Sequence, residues 1–93
     1  MSNAIPEQFS MEQNYPNPFN PTTSINYAIE ATGKVTLKVF DLTGREVATL
    51  VDQVQTAGSY RAELNAYDLP TGSYFYVLSK NNSRIVKKMT LIK

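Results

Sequence analysis

The side chains here that could do chemistry are serines, threonines, carboxylates, lysines and tyrosines, because the chain has neither histidine nor cysteine. Without histidine the usual general base near neutral pH and the commonest metal ligand are missing. Without cysteine there is no disulfide framework, thiolate nucleophile or cysteine-based zinc site. A serine nucleophile would then need a Ser–Lys arrangement in a cleft. Ser79 beside Lys80 has the residue types, but reads more simply as a solvent-facing strand end. Glu12, Glu30, Asp41 and Asp68 could flank a substrate as paired carboxylates, yet they stand singly at strand ends, where solvated surface accounts for them. Asp41, Asp52 and Asp68 offer oxygen ligands for calcium without forming a dense acidic loop. The glycines form no phosphate-cradling pattern. Asn81-Asn82-Ser83 fits a glycosylation acceptor and is equally explained as a tight turn. We therefore expect no catalytic, cofactor or metal site.

Two other stretches are more distinctive. Gln13-Asn14-Tyr15-Pro16-Asn17-Pro18-Phe19-Asn20-Pro21, continued by Thr22-Thr23-Ser24-Ile25, carries three prolines. Each fixes its own φ and pushes the residue before it towards extended conformations. No helix passes through such a run, and proline cannot donate to the ladder of a central strand. The asparagines can close local turns with their side chains, and Tyr15 and Phe19 offer anchors for a hydrophobic surface. The run is a stiff elbow between two strands. At the other end no acidic residue follows Asp68, while Lys80, Arg84, Lys87, Lys88 and Lys93 do. Ile85, Met89 and Leu91 can face a core with the charges outward. As structure, lysines on an exposed edge discourage sheet-to-sheet aggregation. As function, basic heads and strand backbone can be offered to a receptor by steering or strand addition.

The elements that must position these stretches are strands. Alternation at period two recurs and helical periodicity is weak. Ile5 to Gln13 predicts a short first strand, with Phe9 and Met11 on one side. Ile25, Tyr27 and Ile29 alternate with polar residues, as do Val35, Leu37 and Val39. Asp41-Leu42-Thr43-Gly44 is a turn with glycine late, and Arg45 to Val51 a further strand. Asp52 to Gly58 reads as a polar crossing between sheets. Tyr60, Ala62 and Leu64 alternate next, then Ala66 to Ser73 makes a corner. Tyr74 to Lys80 and Arg84 to Ile92 are the last two strands, joined through Asn81-Asn82-Ser83. Seven or so short strands with turns every 8–12 residues predict an all-β, immunoglobulin- or fibronectin-III-like Greek-key β-sandwich. An open barrel is the competing architecture. Tyr74, entering a late strand after Leu69-Pro70-Thr71-Gly72-Ser73, is placed to bond back to that corner, as in the tyrosine corner.

Ninety-three residues fit one small domain. A net charge of +1 argues against nucleic-acid binding, and no apolar run approaches the ~18–20 residues that span a bilayer. Met1-Ser2-Asn3-Ala4 looks like a cloning remnant, which leaves 5–93 as a single domain excised from a longer parent protein.

The elbow, with Ile25-Asn26-Tyr27 after it, closely resembles the opening of the type A C-terminal sorting domain of the bacterial type IX (Por) secretion system. Lys34-Val35-Thr36-Leu37-Lys38-Val39-Phe40-Asp41-Leu42-Thr43-Gly44-Arg45-Glu46-Val47 resembles that family's central block. Leu69-Pro70-Thr71-Gly72-Ser73-Tyr74-Phe75-Tyr76 is similar to its Gly-x-Tyr block, and Lys87-Lys88-Met89-Thr90-Leu91-Ile92-Lys93 to its terminal block. The resemblance implies an address module carried through the periplasm to the cell surface or beyond. It implies recognition by the outer-membrane translocon and, in many members, removal by a surface transpeptidase. Partner recognition would then fall on Pro16, Asn17, Pro18 and Phe19, on Gly72 and Tyr74, and on Lys87, Lys88, Met89 and Lys93. The upstream cargo domain of the same chain is the other implied partner; no membrane insertion is expected. An alternative resemblance, from Phe19 to Leu50, is to the immunoglobulin-like part of flagellar hook-capping proteins. A carbohydrate-binding sandwich would instead use Tyr15, Phe40, Tyr67 and Phe75 as exposed aromatics.

Overall fold

In the computed structural model, which describes residues 6–93, the period-two runs become seven strands and no helix among those residues. They are β1 (Ser10–Met11), β2 (Thr22–Ile29), β3 (Gly33–Phe40), β4 (Glu46–Gln55), β5 (Gly58–Asn65), β6 (Gly72–Lys80) and β7 (Ser83–Leu91). One sheet has the order β1-β2-β5 and the other β4-β3-β6-β7, with every ladder antiparallel. The chain changes sheet after β2, β4 and β5, so this is the expected immunoglobulin-like Greek-key sandwich and not a closed barrel. Its fourth strand joins the second sheet, giving three strands facing four. The segment Met1-Ser2-Asn3-Ala4 lies outside the described residues.

The core is the set of inward positions that alternation marks out. Ile25 and Ile29 of β2, Val35, Leu37 and Val39 of β3, Tyr76 and Leu78 of β6, and Met89 and Leu91 of β7 are fully buried. Each large side chain removed from water this way stabilises the fold by about 1.5–3 kcal/mol. Tyr27 stacks on Tyr60 with ring centroids 5.5 Å apart, tying β2 to β5.

Three expectations change. Among the described residues the first strand is Ser10–Met11 alone, shorter than the expected Ile5 to Gln13, of which Ile5 lies outside them; from Glu12 onward the chain already serves the elbow. β4 runs on to Gln55, so only residues 56–57 cross between the sheets before β5. Asp52, Gln53 and Val54 read as loop because they are exposed, but β4 is an edge strand, where polar residues meet water without cost. Lys34 reaches diagonally to Asp52 at 3.2 Å and supports that extension. Finally, Lys80 is buried, with its ammonium 3.6 Å from Glu30.

The register also fixes the poles of the domain. β2 runs from Thr22, opposite Asn65, to Ile29, opposite Gly58. Gly72, Leu91 and the elbow lie at the Thr22 end, since Phe19 bridges to Leu91 and the Ala66 N–H donates to Pro21. The chain enters β1 at Ser10, opposite Ala28, near the other end.

Candidate functional site

The elbow is held at both ends by backbone pairing. The Glu12 N–H donates to Asn26, and Tyr15 and Ser24 exchange N–H···O bonds of 2.9 Å, which keeps the incoming chain on β2. Farther on it changes sheet. The Phe19 N–H donates to Thr90 at 2.9 Å and the Phe19 carbonyl accepts from Ile92 at 3.0 Å, a single parallel bridge on the outer edge of β7. Between these points the Asn17 side-chain oxygen accepts the Thr90 N–H at 3.0 Å, and Gln13 Nε2 donates to the Lys88 carbonyl at 2.7 Å. The Tyr15–Pro16, Asn17–Pro18 and Asn20–Pro21 peptide bonds are cis. Prolines suit this path because it has few N–H groups to satisfy.

Beneath the elbow lies a small buried polar network. Asn14 is 2 % exposed; its backbone N–H donates to the Tyr76 hydroxyl at 2.8 Å, and that hydroxyl donates on to the Glu12 carbonyl at 3.3 Å. Asn14 Nδ2 donates to Thr23 Oγ1 at 3.0 Å and to the Pro16 carbonyl at 3.1 Å, which Thr23 also reaches at 2.9 Å. No buried side-chain nitrogen or oxygen is left unpaired among the described residues. Burial pushes the Tyr76 phenol above its usual range, and the N–H donated by Asn14 pulls it back only partly. The hydroxyl stays protonated and serves as both donor and acceptor.

The corner and terminal blocks meet this seam. Gly72 opens β6 opposite Leu91, and Tyr74 lies opposite Met89. Gly72 has φ 158°, which L side chains rarely adopt, so its role is in the backbone. The Tyr74 hydroxyl donates to the Pro70 carbonyl at 2.5 Å, forming the expected tyrosine corner. At the chain's end the Lys93 N–H donates to Thr71 Oγ1 at 3.1 Å. The Lys93 ammonium bonds the Tyr67 carbonyl and lies 5.6 Å from the centre of the Tyr67 ring. The corner loop and the terminal block thus hold each other.

The sequence-derived recognition residues separate by exposure. Pro16, Asn17, Pro18, Lys88 and Lys93 face solvent, and Lys87 and Gly72 are half-buried. Phe19, Tyr74 and Met89 are core side chains. Lys87 shares the inward parity of Ile85 and Met89, so the charges do not all point outward. The paired aromatic anchors also divide: Phe19 is 2 % exposed, whereas Tyr15 is 80 % exposed and anchors nothing by burial. Sequence reasoning missed Gln13, Thr23, Thr71 and Thr90 as partners in the seam. The bonds of Gln13, Thr71 and Thr90 to β7, the chain end and the elbow join residues 22 to 75 positions apart, whereas Thr23 bonds within the elbow, to Asn14 and Pro16.

The residues weighed for chemistry are dispersed. Ser79 and Lys80 are successive on β6 and point to opposite faces, so they cannot form a dyad. Asp41 organises its own turn: Thr43 Oγ1 donates at 2.6 Å, the backbone N–H groups of Thr43 and Arg45 at 2.9 and 3.1 Å, and the Arg45 guanidinium at 3.2 Å. These bonds, the Thr43 hydroxyl first, lower its carboxyl below the usual range. Gly44 supplies the left-handed φ of 89° that the turn requires. Asp52 pairs with Lys34, and among the described residues no three acidic side chains gather. Asn81, with φ 55°, takes the left-handed position of the β6–β7 turn. Of the aromatics weighed for carbohydrate, Tyr15 and Tyr67 are exposed, while Phe40 lies opposite Phe75 on the outer face of the larger sheet.

Three blocks widely separated in the chain, the elbow, the Gly-x-Tyr corner and the terminal block, therefore converge on one pole and one edge. A family model described as the secretion system C-terminal sorting domain matches residues 13–93. The chain belongs to that family. The match begins at Gln13, the first residue whose side chain bonds β7, and takes in every later strand. No curated protein matches the chain. As a member of the sorting-domain family it is a C-terminal sorting signal for type IX secretion, which directs export to the cell surface or extracellular space. Sorting domains of this family act through recognition by the secretion machinery and are not catalytic.

Proposed function

We propose that the outer-membrane translocon reads the pole where the elbow meets the terminal block, through exposed Pro16, Asn17, Pro18, Lys88 and Lys93. Phe19, Gly72, Tyr74, Lys87 and Met89 present that surface by holding its backbone. The observation that carries this reading is the seam itself: Gln13, Asn17 and Phe19 bond Lys88, Thr90 and Ile92, so one rigid patch contains both distinctive stretches. Such a patch loses little conformational entropy on binding. The described chain leads into β1 at Ser10, opposite Ala28 and away from the patch, and the upstream cargo domain is joined to it from that side. In the same reading a surface transpeptidase then removes the domain and attaches the cargo. The recognition step itself makes and breaks no bond.

The test must separate recognition from folding. Removing Lys87–Lys93 would also remove Met89 and Leu91 from the core, so it would not discriminate. The better variant is Lys88→Glu with Lys93→Glu in a signal-peptide-bearing reporter fused to residues 11–93, in a host with this secretion system. The variant domain should stay folded by thermal unfolding while the fusion accumulates in the periplasm. Normal export of that fusion would refute the assignment of these lysines.

A further inference from the structure

The outer edge of β7 is only half used. Thr90 sends both its N–H and its carbonyl to the elbow, Lys88 sends its carbonyl there, and the β6–β7 register is regular from Gly72↔Leu91 to Lys80↔Ser83. In an antiparallel pair the groups of alternate residues point to the same side. The N–H and carbonyl groups of Arg84 and Val86, and the N–H of Lys88, therefore point away from β6. Among the described residues none of them has a backbone partner outside the sheet. The side chains on the outer face make an apolar strip with cationic ends. Val86 lies opposite Val77 and is 48 % exposed, and Phe75 lies opposite Lys88. A groove of ≈ 240 Å³ on this face is lined by Phe40 and Leu42, by Phe75 and Val77, and by Arg84 and Val86, with Asp41 also in its wall. Arg84 and Lys88 have no carboxylate within ion-pair distance among the described residues, and nothing acidic follows Asp68.

We infer that the open edge of β7 from Arg84 to Lys88 binds an extended, acid-flanked segment of a partner protein by strand addition. This rests on the reading that the domain is recognised by a protein, and adds where and in what conformation a second contact is made. Two observations choose the occupant. The elbow already adds itself to this edge at Phe19, so the edge accepts extended chain and the remaining groups continue the same ladder. The unpaired guanidinium and ammonium at its two ends match negative charge flanking alternating apolar residues.

The probe is a short peptide alternating valine and threonine with an aspartate at each end, titrated into the isotope-labelled domain. Amide signals of Arg84, Val86 and Lys88 should shift and their hydrogen exchange should slow. Arg84→Glu should weaken binding about tenfold, as expected for a charge reversal beside the contact. A lysine-ended peptide should bind more weakly than the acid-ended one. Val86→Pro should fold, because that N–H makes no ladder bond, yet abolish binding. Unchanged exchange at these three amides at millimolar peptide, or equal binding by Val86→Pro, would overturn the inference and leave the cations as simple edge protection. Export separates the two ideas. If the wild-type fusion and its Val86→Pro variant leave the cell equally well, the strand-addition edge falls and the sorting role stands. Retention of the wild-type fusion in the periplasm sinks the sorting role, while the peptide titration still decides the edge.

Discussion

The larger sheet ends in two edge strands that solve the same problem differently. β4 protects itself. Two register irregularities against β3 break its ladder, at Leu37/Lys38 and Val39/Phe40, and its acids are neutralised across the sheet by Lys34–Asp52 at 3.2 Å and Lys38–Glu46 at 3.4 Å. β7 keeps an unbroken register, carries cations without carboxylate partners among the described residues, and is covered by a separate piece of chain only from the Lys88 carbonyl onward. Bulges and balanced charge are what an edge needs merely to stay soluble. A straight, unbalanced edge beside a rigid elbow is what an edge needs to be recognised.

The strongest way to break this contrast is to remove the cover. Phe19→Ala should cost about 3–5 kcal/mol, the usual loss for a buried phenylalanine, measured by urea unfolding. Amides at Thr90 and Ile92 should then exchange as fast as those at Arg84 and Val86. Tyr76→Phe keeps the ring but strips the hydroxyl that pairs Asn14, leaving a buried N–H without a partner. It should cost about 1–3 kcal/mol, and loosen the elbow while leaving β4 unchanged by hydrogen exchange. Tyr74→Phe removes one bond of the corner and should cost about 0.5–1.5 kcal/mol. On the β4 side Lys34→Ala should change stability by less than about 1 kcal/mol, because its pair is exposed.

The smallest effect is in pH. The Asp41 carboxyl is lowered on folding, so the folded state binds fewer protons than the unfolded chain as the carboxylate titrates. Its contribution is complete above the ordinary aspartate range near about 4 and is lost as pH falls through the lower folded value. Asp41→Asn should flatten the acid limb of the stability profile without moving β7. At the other extreme burial raises the Tyr76 phenol, so its contribution is present below about pH 10 and lost as pH rises through its higher folded value. Absorbance titration of Tyr76→Phe should lack one of the phenols that titrate above the ordinary tyrosine range.

Much of the body was legible because burial leaves a local trace. Alternation at Ile25-Tyr27-Ile29 or Val35-Leu37-Val39 follows from the pleat, and Asp41 with Gly44 writes out its own turn within five residues. Where a residue sits on an edge the trace fades. The exposed tail of β4 reads locally as a crossing, and Lys80 as a surface residue, because a strand end buried under Gly33 and Glu30 has no local signature. The elbow was visible as a stiff segment, but Tyr15 and Phe19 were indistinguishable until the path of the chain put one in the core and the other in water.

By itself the sequence determined that the chain is all-β, which positions face inward, where it turns, and that its two ends carry unusual blocks. Those are properties of neighbours along the chain, set by sterics and hydrophobic alternation. Only the tertiary structure decided that the proline elbow lies on the outer edge of β7, that it stops at Lys88, and that the backbone from Arg84 to the Lys88 N–H is left open. The bonds responsible join residues more than seventy positions apart, and such pairs are chosen by how two sheets pack, which no local pattern records.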